Sequence, residues 1–201
     1  MEGILDGIIH PLVFLVAILS LILLFKVWRN QKWQNKPMKN FPFIYKGKKL
    51  WYSRAVAVGH LVFCKDTEHT WHILANRRGS GTPDFQGKWN MNHGYVDFDE
   101  SAEQAAQRET YEETGVFIPN SMIHLSFVDS DPHSNNQNIT LYYSTVIEDK
   151  TIDEYVLSSI HCEKNEVDNI KWIPLSNLLD NEWAFDDLRI IQAEFEKINR
   201  N

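Results

Sequence analysis

The chain has 201 residues, 43% of them hydrophobic and 23% charged, a folded-protein composition that excludes a wholly disordered chain or a coiled coil. Its formal net charge of −7 hides two unlike halves: ten Lys and Arg with no acid between Lys26 and Lys65, then 25 Asp and Glu against ten Lys and Arg from Asp66 onward. So acidic a body excludes a nucleic-acid-binding surface outside the basic segment, and two cysteines without a CxxC, Cys64 and Cys162, exclude a disulfide framework.

The first element is the uncharged run Ile8 to Phe25, IIHPLVFLVAILSLILLF, whose length of about 18 residues reaches the lower end of a membrane-spanning helix. A buried core helix would carry a polar face, and a cleaved signal peptide would open with positive charge, whereas this chain opens MEGILDG. The run is therefore expected to be an uncleaved transmembrane anchor, residues 1–28, with the lipid bilayer as its partner. Glu2 and Asp6 precede it and Lys26, Arg29, Lys32, Lys36 and Lys39 follow it, so the N-terminus is expected outside and the body in the cytoplasm. Residues 29–47 then read as a basic juxtamembrane linker, with the folded domain over residues 48–201.

In that domain RAVAVGHLVFCK and TWHILANRR are β-rich runs flanking the break DTEH, and predict a strand pair. A Gly- and Pro-punctuated loop from Gly79 to Lys88 leads towards a helix whose limits are explicit. Ser101 and Gln104 form a capping box and Gly115 is a left-handed terminator, predicting a helix from about Ala102 to Thr114. MIHLSFVDS, NITLYYSTVIE and NIKWIPL predict three further strands, and Phe185, Leu188, Ile191, Phe195 and Ile198 have the spacing of an amphipathic helix. The fold class is α+β with a mixed sheet.

The predicted helix carries RETYEETG, with Glu109, Glu112 and Glu113 crowded together. At helical spacing Glu109 and Glu113 continue the stripe of Ala102, Ala105 and Ala106, and Glu112 lies at its edge. A solvated acidic helix would not place carboxylates on its packing face. Arg108 flanks the stripe and cannot neutralise all three, so a hard divalent cation such as Mg²⁺ is expected against them.

From Gly94 to Val116, GYVDFDESAEQAAQRETYEETGV resembles the Nudix box of the Nudix hydrolase (MutT-like) family: Gly, five residues, Glu, seven residues, Arg-Glu, an aliphatic, any residue, Glu-Glu, any residue, Gly, an aliphatic. Thr110 departs from it, standing where the family has an aliphatic residue, and His93 stands where many members have glycine. The resemblance implies a Nudix-type α/β/α sandwich. It also implies Mg²⁺, with Mn²⁺ as a substitute, held by Glu109, Glu112, Glu113 and the His93 carbonyl, with a glutamate such as Glu112 or Glu113 activating water. Arg108 would orient Glu109, Glu100 would hold the loop to the helix, and Gly94 opens the box. Glu166 falls where the family often supplies a further ligand or general base. The implied activity is hydrolysis of a nucleoside diphosphate linked to another moiety, of ADP-ribose or nucleotide-sugar type. Alternatives are a membrane-tethered sensor that binds its nucleotide without cleaving it, or a tethered scaffold. Arg77 and Arg78 at a strand end are candidate phosphate contacts, Trp89 and Tyr142 are candidate stacking residues or core, and Pro132 has the spacing seen in ADP-ribose-hydrolysing members.

Overall fold

The computed structural model describes residues 18–26, 40–131, 138–159, 162 and 165–200. Of the expected anchor, residues 1–17 lie outside the described residues; 18–26 are helical with exposed side chains. Among the described residues no helix is long and apolar enough to cross a membrane. Most of the linker and Pro132 likewise lie outside them.

The chain divides into two compact units, 1–53 and 54–201. In the first, β1 (Phe41–Tyr45) pairs antiparallel with β2 (Lys48–Tyr52). The strand β1 stands where the linker was expected to end. The cause is local: Lys46 and Gly47 have φ of 47° and 75°, the left-handed pair a two-residue hairpin turn requires.

The second unit is a seven-stranded mixed sheet. Its members are β3 (Val56–Lys65), β4 (Trp71–Arg78), β5 (Trp89–Asn90), β6 (Asn92–Tyr95), β7 (His124–Asp129), β8 (Ile139–Thr151) and β9 (Val167–Pro174). The order is β5-β4-β3-β8-β7, with β6 also on β3 and β9 also on β4; β3 and β8 run parallel, and the other pairs are antiparallel. The predicted strand pair is β3 and β4, and Asp66 Oδ1 closes the turn between them by accepting from the Glu68 and Thr70 amides. The strands β5 and β6 are too short to show alternation in sequence, and no strand was expected there.

Successive residues of β3 point to opposite faces, which divides the core in two. Leu61 and Phe63 pack with Ile73, Trp89, Met91 and Tyr142 under the helix α2 (Asp187–Ile198), which adds Ile190 and Ile191. Val58, Val62 and Cys64 pack with Leu74 and Tyr143 under the helix α1 (Ala102–Thr114), which adds Ala105 and Ala106. The sheet is thus sandwiched between helices, as expected, and Trp89, Tyr142 and Cys64 are core. The amphipathic spacing overreached at one end. Phe185 precedes α2 and has φ of 49°, outside any right-handed helix.

The helix α1 runs over Ala102–Thr114 as predicted, with the capping box formed and Gly115 at φ 76° donating its N–H to Tyr111 O. Thr110, in place of an aliphatic, does not loosen the core: its hydroxyl is fully buried, 2.7 Å from His60 Nδ1. His60 Nε2 lies 2.9 Å from Thr145 Oγ1, and the two hydroxyls that flank the ring donate to backbone carbonyls, Thr110 to Ala106 and Thr145 to Met122. Burial pulls the His60 pKa down from 6.5 to about 4. Below pH 6.5 the unfolded chain takes up a proton at this ring that the folded one refuses. The contribution is therefore intact above pH 6.5 and is lost as pH falls towards 4, by about 3 kcal/mol in all. Unfolding free energies of the parent and of His60→Gln, followed across that window, should converge by about that amount; parallel curves would refute it.

Candidate active site

Four elements position the acidic cluster. The helix α1 supplies Glu109, Glu112 and Glu113; β6 supplies the backbone of His93 and Gly94; β4 supplies Asn76; and the turn before β9 carries Glu166. Glu109 and Glu113 lie on the packing stripe with Glu112 at its edge, as their helical phase predicts: the Glu113 residue is 5% exposed, while the Glu109 and Glu112 side chains are 15% and 34% exposed.

Arg108 organises the outer part. Its Nη1 donates to Glu109 Oε1 at 2.7 Å and Glu112 Oε2 at 3.0 Å. Its Nη2 and Nε donate to Glu100 Oε1 and Oε2 at 2.7 and 3.0 Å, and Nη2 also reaches the Tyr95 carbonyl. Glu100 in turn accepts from the Asp97 amide, so one guanidinium ties the loop before α1 to the helix, and the Glu100 carboxyl is held below its ordinary range by Arg108. Both expected positioning roles therefore have a contact behind them.

Among the described residues Arg108 forms its ion pairs with Glu100, Glu109 and Glu112 and none with Glu113. The donors to that carboxylate are neutral, Asn76 Nδ2 at 2.8 Å and the His93 amide at 3.3 Å, both on Oε2. Burial, with Glu109 and Glu166 adding to it, raises its pKa well above the ordinary value. Burial likewise raises Glu109 to about 7, against the opposing pull of Arg108. Two desolvated carboxyls this close to one another favour a cation beside them.

Gly94 is explained by contact. A Cβ there would lie 1.8 Å from Glu109 Oε1, so the Glu109 carboxylate rests directly on bare backbone. His93 sits in a regular strand with no left-handed angle, so the position does not demand glycine. Its Nε2 is 3.8 Å from Asp187 Oδ1, and Asp187 Oδ2 accepts from the Met91 amide at 2.9 Å. Among the described residues neither His93 Nδ1 nor Asp187 Oδ1 has a hydrogen-bond partner.

Of the outlying candidates, Glu166 accepts the Gly79 amide at its carbonyl, and its charge acts on both Glu109 and Glu113. Arg78 is clamped by Asp84 through Nε and Nη2, and its field reaches Glu113, His93 and Asp187. Arg77 turns instead to the Gly87 carbonyl and, at 3.7 Å, to Asp168. Asn76 and Asp187 were missed by the sequence reading; each is one polar residue in or beside an apolar run, a signal too common to single out.

As they stand the acids are not a preassembled cage: among the described residues no three His, Cys, Asp or Glu side chains meet closely enough to hold an ion. Their chemistry nevertheless fits one. Carboxylate and carbonyl oxygens are the donors a hard divalent cation selects.

The match to known proteins follows the same residues. The family model described as NUDIX domain matches residues 53–193. No curated protein matches the chain. Among solved structures, the NUDIX domain of Shewanella oneidensis NrtR, complexed with ADP ribose, superposes with a TM-score of 0.58 at 22% identity, covering 73% of this chain and 90% of that one. A MutT/nudix family protein from Enterococcus faecalis gives 0.60 at 22% identity, over 88% and 69%. A bifunctional NMN adenylyltransferase/ADP ribose pyrophosphatase from Francisella tularensis, complexed with AMP and a Mn ion, gives 0.56 at 20% identity, over 86% and 46%. At these identities the likeness is one of fold, but the family model spans most of the domain that carries the box, and the chain belongs to the NUDIX domain family of pyrophosphohydrolases.

Proposed function

We propose that this Nudix hydrolase cleaves the diphosphate of a nucleoside diphosphate linked to another moiety, of ADP-ribose or nucleotide-sugar type, with Mg²⁺. The observation that carries the reading is Glu113, buried against two neutral donors beside Glu109. Glu109, Glu112, Glu113 and the His93 carbonyl would hold the cation, with Glu166 as a further ligand or base. When bound, it supplies positive charge for the diphosphate and acidifies a water. The chain's own residues do the remaining work. Arg108 and Glu100 fix the outer carboxylates, Asn76 and the His93 amide fix the inner one, and Arg78 offers positive charge beside them. In the reaction a water oxygen bonds to one phosphorus, the anhydride P–O bond breaks, and the water proton passes to a carboxylate such as Glu112, Glu113 or Glu166.

Two relatives support the substrate class: one structure holds ADP ribose, and another protein is described as an ADP ribose pyrophosphatase, with a Mn ion. An N-terminal anchor formed by the apolar run, with the domain on the cytoplasmic side, belongs to the same proposal and rests on sequence.

The test is a panel of ADP-ribose, nucleotide sugars and dinucleoside polyphosphates, with and without Mg²⁺, monitored for release of nucleoside monophosphate. Mg²⁺-dependent turnover of ADP-ribose or a nucleotide sugar is expected. Tight binding without turnover of any member would replace the enzyme by a nucleotide sensor.

A further inference from the structure

We propose that Phe85 and Phe185 form a stacking platform for the nucleobase of the substrate; this rests on the nucleotide-hydrolase reading above and adds the residues that select for a base. The two rings come from segments a hundred positions apart, the Gly79–Lys88 loop and the turn before α2, and meet edge to face with centroids 4.7 Å apart. They are 40% and 45% exposed, and neither joins either hydrophobic core.

Both residues adopt a backbone conformation that bulky side chains avoid, with φ of 50° at Phe85 and 49° at Phe185. That conformation costs about 1–3 kcal/mol at each position and persists only where surrounding contacts impose it. Those contacts are present. The Phe85 carbonyl accepts the Lys88 amide and Asp84 is clamped by Arg78, while Ala184, beside Phe185, exchanges bonds with Trp89 and Asp187. Two independent loops thus hold large apolar rings at the surface in strained conformations, where nothing in the packing of the core requires them.

Their place in the molecule names the ligand. Phe185 lies edge to face with His93, centroids 5.7 Å apart, and the His93 amide touches Glu113. A platform one residue removed from the acidic centre suits a flat ring one ribose removed from a diphosphate. Charge agrees: the Arg78 guanidinium is 5.1 Å from the Phe185 ring centroid and Lys88 Nζ is 5.9 Å from that of Phe85. Arg78, paired with Asp84, and Lys88, 4.0 Å from Glu182, thus set cationic groups against the rings of an apolar surface, the kind of combination that holds a base and its phosphate together.

The experiment compares kcat/KM of the full chain for ADP-ribose with that for the matching diphosphate diester carrying a second ribose in place of adenosine. In Phe85→Ala, Phe185→Ala and Phe185→Leu the ratio of the two should fall by about 5- to 100-fold, mostly through KM, and Phe185→Tyr should restore it. An unchanged ratio in both alanine variants overturns the platform, as does a leucine as good as tyrosine. Calorimetric titration with AMP and with ribose 5-phosphate separates this from the hydrolase reading. AMP binding more tightly than ribose 5-phosphate, and losing that advantage in the alanine variants, supports the platform even if nothing on the panel is cleaved. Equal binding of the two ligands to the parent chain overturns it.

Discussion

Glu113→Gln is expected to reduce kcat/KM by on the order of 10²–10³-fold or more while leaving the metal-free protein as stable as the parent or more so. The two halves of this expectation have one origin. The carboxyl is buried with Asn76 Nδ2 and the His93 amide as its donors, and burial opposes its ionisation. An amide of the same size keeps an oxygen for both donors and removes the charge that burial disfavours. In the parent, by contrast, Mg²⁺ at a hundred times its Kd should add about 2.7 kcal/mol to the unfolding free energy. Thermal melting with and without Mg²⁺ checks this directly: the parent shifts upward and the variant does not. A variant that melts early without metal would mean that the carboxylate serves the fold; a variant that turns over normally would remove Glu113 from the chemistry.

The second large effect belongs to Gly94→Ala. The added methyl would lie 1.8 Å from Glu109 Oε1 and 1.9 Å from its carboxyl carbon. All three of the nearest atoms belong to the end of that one flexible side chain, so the relief is a rotation of Glu109 and not a break in β6. Stability should fall by no more than about 1–2 kcal/mol. Turnover should fall on the order of 10²-fold, because a displacement of about an ångström at a reacting centre is that costly. Kinetics and denaturant unfolding on the same preparation decide it. Equal losses of stability and activity would mean that the strand had moved; preserved activity would take Glu109 out of the site.

What could be read from the sequence was what local chemistry settles. The ends of α1 follow from Ser101, Gln104 and Gly115 acting within a few residues of themselves, and the depth of Glu109, Glu112 and Glu113 follows from their phase against Ala105 and Ala106. Partners that exist only once strands are in register stayed hidden. Asn76 meets Glu113 from 37 positions away, and His60 meets Thr110 across 50. That second pairing makes the departure from the box pattern at Thr110 a buried hydrogen bond. Phe185 was misplaced for a different reason: hydrophobic spacing cannot distinguish a first helical residue from one whose backbone is left-handed. The hairpin strand β1 was hidden by its setting in a basic stretch, although Lys46 and Gly47 mark its turn.

The capping box and the left-handed Gly115 do more than finish α1. Each residue of an α-helix turns the wheel by about 100°, so a slip of one position would carry Glu113 out of its pocket and bring Glu112 or Thr114 round in its place. The Ser101–Gln104 pair fixes the first turn and the Gly115 N–H on Tyr111 O fixes the last of a helix thirteen residues long. Held at both ends, the helix behaves as a ruler with fixed zero and fixed length, and the buried carboxylate is the mark read from it. Insertion of one alanine between Gln107 and Arg108 would leave charge and helicity unchanged and still misalign every acid beyond it.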